Sequence, residues 1–229
     1  MHNKIFVIFL ALSIITLFGC STTMKMDPKY LAAKENVLVV LDTDPQVNVL
    51  YTNSSYGGGS LLAVGLASAL NKSFESENKE IIDKIVPEFS PKLNELYIQS
   101  LKKEFPNYTI IMATKDDIEN LNNKKITLND LKTKYNTNIV IISKITFGIG
   151  RRPRGALMIA KYYVDIQCKS TMTDVELSKA VWETSLRELY DFDEYMDELK
   201  ENNAQKLMDG YASCVNNIVP KLMKEMKLQ

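Results

Sequence analysis

The segment AKYYVDIQCKST, residues 160–171, decides the fold. Tyr162, Val164, Ile166 and Cys168 fall on one side of it, and Lys161, Asp165, Gln167 and Lys169 on the other. Successive side chains of a strand point to opposite faces, so this period of two marks a strand with one packed and one wet face. Strands of that kind belong to antiparallel sheets, because parallel strands are buried on both sides and read as unbroken apolar runs. Working outward, the polar run TDVELS (173–178) supplies a turn, and KAVWETSLRELY (179–190) continues the sheet. On the other side, IVIISKITFGI (139–149) is a strong strand. The chain closes with a long helix over about 192–227, whose Leu207, Tyr211, Cys214, Ile218 and Leu222 form one apolar stripe.

The first half interleaves strands with helices. NVLVVLDTDPQVNVLY (36–51) reads as a buried strand, Val37 to Leu41, an Asp-Thr-Asp-Pro turn and a second extended run. Residues 60–86 have helical period with a break near Ser73. FSPKLNELYIQSLKKEF (89–105) starts a separate helix, with Ser90 as N-cap, Pro91 at the first helical position, and Leu93, Leu96, Ile98 and Leu101 as its apolar side. YTIIMAT (108–114) is a short strand, and TLNDLKTKYNTN (127–138) is a small helix capped by Thr127. The expectation is an α/β (α+β) domain: a mixed, largely antiparallel sheet packed with helices mainly on one face.

The N-terminus reads as a targeting segment. Lys4 precedes the uncharged run IFVIFLALSIITLF, which is shorter than the ~20 apolar residues of a comfortable membrane span. The run ends in Leu17-Phe18-Gly19-Cys20, which resembles the bacterial lipobox. The resemblance implies cleavage between Gly19 and Cys20 and acylation of Cys20, and two or more acyl chains suffice for stable anchoring. By resemblance to enterobacterial sorting, Ser21 implies the outer membrane. The expected organisation is a signal peptide at 1–19, a lipidated tether at 20–34 and a single α/β periplasmic domain at 35–229.

Composition narrows the chemistry. Without Lys4 the chain holds 27 basic against 28 acidic side chains, so no basic stripe recruits nucleic acid. The single histidine is His2, inside the leader, so the mature chain can form no His-based triad, His-ligated metal site or His general base. No cofactor, metal or catalytic residue is expected. Cys168 and Cys214 both fall on core-facing positions, and a disulfide between them and two buried thiols stay open as alternatives.

Three further stretches bear on function. YGGGSLLAVGLASAL (56–70) lacks the spacing and the Lys-Ser/Thr of a phosphate loop, and it is too short to span a bilayer. It is either a core-packing helix or, with Gly59, Ala63 and Ala67 as a small-residue ridge, an interface for a copy of itself, a partner or the membrane surface. GRRPRG (150–155) places Arg151, Arg152 and Arg154 at a hairpin tip, either simply solvated or docking acidic groups. The acidic run YDFDEYMDEL (190–199) suits the first turns of the last helix better than a cation site.

The strand pattern, with Val37–Leu41, YNTNIVIISKIT (135–146), Asp174 in a turn and Val181-Trp182 opening the next strand, resembles a group of bacterial envelope proteins. The group comprises the TolB amino-terminal domain, the curli-secretion lipoprotein and the lipoprotein activator of penicillin-binding proteins. The resemblance implies a non-catalytic binding or scaffold module in envelope assembly, secretion or cell-wall synthesis, held by its acyl chains and meeting an envelope protein partner or itself. A homo-oligomeric curli-type secretion subunit and a metal-dependent envelope hydrolase are the alternatives.

Overall fold

The computed structural model describes residues 24, 26, 27, 29, 30, 35–51, 61–154 and 159–227. Within them the elements run β1 (Asn36–Tyr51), α1 (Leu61–Glu104), β2 (Thr109–Met112), α2 (Lys115–Asn122), α3 (Leu128–Tyr135), β3 (Ile139–Arg154), β4 (Ile159–Asp174), β5 (Lys179–Asp191) and α4 (Met196–Lys227). The strands form one five-stranded sheet among the described residues, in the order β2-β1-β3-β4-β5. β1 is parallel to β2 and β3, whereas the long β3–β4 and β4–β5 ladders are antiparallel. The expected fold class holds.

Alternation along the strands divides the interior in two. Val37, Val39, Ile141, Ile145, Phe147, Val164, Ile166 and Met172 face α1 and α4 in the main core, with Trp182 of β5 fully buried among them. Leu38, Val40 and Val140 face the other way, onto Leu131 of α3, with Ile118 and Leu121 of α2 at the margin. The two long helices thus cover one face, and the two short ones cover one end of the other.

Three local expectations are corrected. Residues 36–51 make one strand, not strand–turn–strand: between Thr43 and Val47 the register against β3 slips, so the Asp-Thr-Asp-Pro segment is a bulge. Extra residues in one strand can loop out without reversing the chain, and a bulge tolerates the missing N–H of Pro45. Residues 61–104 form one helix that runs through Pro87 and Pro91, so Ser90 is not an N-cap. Each interior proline costs ~3 kcal/mol. Both are exposed, so water can reach the carbonyls they leave unbonded, while Ile85, Phe89, Leu93, Tyr97 and Leu101 are buried on the opposite side. At ~1.5–3 kcal/mol per buried large apolar side chain, packing outweighs the local stop signal. The third correction is α2, a helix not expected from the sequence pattern, capped by Thr114, whose side chain accepts from the Asp117 N–H.

The segment before the domain is also part of the fold. Met24 exchanges both backbone hydrogen bonds with Glu183 on the β5 edge, as an antiparallel bridge. Met26 is 2% exposed within the main core, and the Tyr30 hydroxyl donates to Asp174 Oδ2 at 2.8 Å. Tyr108 in turn donates to the Tyr30 carbonyl. Described residues of the expected tether are therefore docked.

Candidate interaction surface

β1 and β3 run parallel and reach one end of the sheet together, with Tyr51 opposite Arg151. β3 continues to Arg154, which pairs with Ile159 at the start of β4. This end, called distal below, also receives the beginning of α1. Phe74 stacks on Tyr162 with ring centroids 5.7 Å apart, and the Arg151 guanidinium lies 5.8 Å from the Phe74 centroid. Tyr162 is the register partner of Arg151. From Phe74 the helix runs back along the sheet, since Tyr97 meets Ser143 well down β3.

Arg151 of the arginine segment and Phe74 of α1, far apart in sequence, are thus brought together. Arg152 sits opposite Lys161 on β3, and Arg154 opposite Ile159. Ala63 and Ala67 lie in the first turns of α1. Gly59, Gly19 and Cys20 lie outside the described residues.

On β4, Asp165 departs from expectation. The alternation puts it on the wet face, yet its side chain is 1% exposed. Its ladder neighbour on β3 is Gly148, which has no side chain, and Arg187 and Gln167 close over it. Oδ2 accepts from Arg187 Nε at 2.6 Å and from Gln167 Nε2 at 3.2 Å. Oδ1 is buried with no hydrogen-bond partner among the described residues. The ion pair offsets the desolvation of the carboxylate, and the half-exposed guanidinium keeps contact with water. Sequence gives no sign of this pair, because its partners are 22 positions apart on neighbouring strands.

Two other polar groupings are structural. Asp117 of α2 accepts from Lys134 Nζ (2.8 Å to each oxygen), Tyr135 Oη (2.5 Å) and Thr114 Oγ1 (2.7 Å), which ties α2 to α3. Hydrogen bonds from Lys134 and Tyr135 hold its carboxyl well below the usual carboxylate range. In the main core, Tyr97 Oη, Ser143 Oγ, Ser170 Oγ and Cys168 Sγ form a chain with contacts of 2.8, 2.7 and 3.3 Å. The cavity beside it has a volume of about 10 Å³, room for no more than one water.

Cys168 and Cys214 are free buried thiols, which resolves the open alternative against a disulfide. Cys214 Sγ lies 4.0 Å from the Val164 carbonyl, and Cys168 is four residues further along β4, about 13 Å at the rise of a strand. A disulfide needs Cα atoms within roughly 7 Å. Burial pushes the Cys168 thiol up to about 11 and, with the Glu188 and Asp165 charges, the Cys214 thiol up to about 12. Burial likewise raises Tyr97 and Tyr211. These groups stay protonated at neutral pH, so they are neither activated nucleophiles nor poised bases. Among the described residues no group of three His, Cys, Asp or Glu is placed to hold a metal ion. No helix among them is long and apolar enough to cross a membrane.

No family model matches the chain. No curated protein matches it either. Some solved structures are similar to the chain over most of its length. A neuraminyllactose-binding hemagglutinin homolog from Helicobacter pylori is 11% identical over 89% of this chain and 87% of its own, with a TM-score of 0.41. The lipoprotein GNA1162 from Neisseria meningitidis is 11% identical over 80% and 99%, with a TM-score of 0.32. The PelC dodecamer from Paraburkholderia phytofirmans is 9% identical over 90% and 96%, with a TM-score of 0.37.

Proposed function

We propose that this chain is a lipid-anchored, non-catalytic binding module of the bacterial envelope. Acyl chains on Cys20 hold the domain at a membrane and raise its effective concentration toward what it binds there. Its contact surface comprises the start of α1, with Ala63 and Ala67, and the arginines 151, 152 and 154 at the distal end of the sheet, with Gly59 added from the sequence ridge alone. The observation that carries this is the contact of Arg151 at the arginine strand end with Phe74 of α1, which stacks on Tyr162.

Fractionation of bacteria producing the full chain and its Cys20→Ala variant tests this. The wild type is expected in the membrane pellet and the variant in the soluble fraction. Equal distribution of the two would refute the anchor.

A further inference from the structure

We propose that two copies of this chain pair along the outer edge of β5, strand against antiparallel strand, about a two-fold axis at Leu189. The contact is separate from the arginines of β3 and does not depend on the anchor.

The edge is open, and the direction of its backbone groups is set. β5 is the last strand of the sheet, and among the described residues only the bridge from Met24 to Glu183 occupies its outer side. In that bridge the N–H and the carbonyl of Glu183 both point outward. The β4–β5 register runs unbroken from Trp182 to Asp191, so Ser185, Arg187, Leu189 and Asp191 turn their backbone groups the same way. Such a row of N–H and C=O groups is a template for a further strand. Met24 shows the edge taking an antiparallel partner at one position.

Exposed apolar surface gathers on the same edge. Of the six large apolar side chains exposed among the described residues, Met24, Leu189, Tyr190 and Tyr195 lie on β5, bridge to it or follow its end. β2, the strand at the other edge, contributes only Met112. Side chains alternate along β5, and Glu188 stands on the face of α4, where it meets Lys221. Tyr190 shares that face, while Arg187, Leu189 and Asp191 stand on the opposite one.

This sequence is complementary to itself. Outward residues of one strand must face outward residues of the other, so a two-fold axis passes through a residue. At Leu189 it sets Leu189 on its copy, and Arg187 on Asp191 of the second copy. The same ion pair recurs across the axis, and Glu188 falls opposite Tyr190. About six backbone hydrogen bonds join the two strands over 187–191. Arg187 serves both neighbours, since its side chain is 43% exposed while its Nε donates to Asp165 Oδ2.

Opposite charges directly across a strand pair stabilise it, and like charges do the reverse. An axis at Arg187 opposes two guanidinium groups, and an axis at Glu188 opposes two carboxylates. One at Tyr190 leaves only Leu189 and Asp191 paired. One nearer Glu183 drives the second strand into Met24. A second copy in the Leu189 register is therefore the occupant that covers the exposed leucine and answers both charges.

Disulfide trapping of the full chain in bacteria treated with an oxidant tests this, with the wild type as blank. Leu189→Cys places two thiols within reach, because paired Cα atoms lie about 5.5 Å apart and a disulfide spans up to about 6.8 Å. Ser185→Cys lies on the same edge, but the axis holds its two copies about eight residues, or ~27 Å, apart. Leu177→Cys, 59% exposed in the β4–β5 turn, reports random collision. Leu189 is 45% exposed, so the cysteine leaves the fold in place, which equal thermal midpoints of variant and wild type establish.

The expected result is a disulfide-linked dimer for most of the Leu189→Cys chain and little at 185 or 177. Asp191→Lys, which sets a lysine on Arg187 of the second copy, should lower the trapped fraction at 189 several-fold. Little dimer at 189 in a folded chain would overturn the proposal. So would equal trapping at all three sites, or an adduct at 189 whose mass shows a different protein. A dimer at 189 indifferent to Asp191→Lys would refute the register.

Discussion

Replacing Met26 by alanine separates a docked segment from a free tether. Met26 is 2% exposed inside the main core. It is held on one side by the Met24–Glu183 bridge and on the other by the Tyr30–Asp174 hydrogen bond. Truncating a buried methionine costs ~2–5 kcal/mol, the upper end applying where the site cannot collapse. The segment lies at the edge of the fold and can settle, so the lower half of that range, about 2–3 kcal/mol, is expected. The assay is urea unfolding on a Cys20→Ala background that releases the chain into solution. With a slope of ~1–3 kcal/mol per molar, the midpoint should fall by roughly 1 M with the slope unchanged. Tyr30→Phe keeps the ring and removes only the hydroxyl that donates to Asp174, so it should cost about 1–2 kcal/mol in the same assay. A change below ~0.5 kcal/mol for Met26→Ala, the value typical of an exposed position, would refute the docking.

Other outcomes follow from particular contacts. Gly210→Ala should destabilise although alanine is the better helix former by ~1 kcal/mol. The new Cβ would lie 2.6 Å from Phe192 Cζ and 3.1 Å from Val164 Cγ2, and overpacking costs ~1–3 kcal/mol. Thermal unfolding should show a net loss of up to ~2 kcal/mol, and Phe192→Leu should cost less in that background than in the wild type. Asp117→Asn should lower stability by roughly 2 kcal/mol at neutral pH. Because the folded carboxyl is held below its ordinary 3.8, its contribution is present above that value and lost as pH falls below it. Wild type and variant should therefore converge on acidification, and a constant gap from pH 7 to pH 3 would contradict the assignment. For the thiols, alkylation in denaturant without reductant should modify both Cys168 and Cys214. Native protein should react only as it unfolds, since a thiol at about 11 is ionised to roughly one part in 10⁴ at pH 7. Protection of both cysteines in denaturant would mean that they are bridged.

The later half of the fold was legible because its pattern is strong and local. The alternation at 160–171, the turn at 173–178 and the stripe from Leu207 to Leu222 all reappear as β4, the β4–β5 connection and α4. The earlier half misled where a local signal was overruled at a distance. Ser90-Pro91 looks like a helix start, but Phe89 and Leu93 on either side of it pack into the same core and keep one helix running. The Asp-Thr-Asp-Pro segment looks like a reversal, but the β1–β3 ladder resumes at Val47 and Phe147. α2 was missed although Thr114 and Asp117 have the spacing of a cap, because its apolar pattern is short.

The candidate surface was legible only in parts. Arginines at a hairpin end and an uncharged helix start are visible in sequence, but their meeting through Arg151, Phe74 and Tyr162 is a consequence of α1 running antiparallel to β3. The docking of Met26 and Tyr30 was hidden because the partners of their segment, Asp174 and Glu183, lie far away in sequence on β4 and β5. The burial of Asp165 depends on Gly148 and Arg187, which only the register of β3, β4 and β5 brings beside it.

The most direct test of the central claim is the mass of the N-terminal peptide of the chain purified from bacterial membranes. The account requires a peptide that begins at Cys20 and carries acyl chains. A chain that retains residues 1–19, or one whose Cys20 is unmodified, would contradict it.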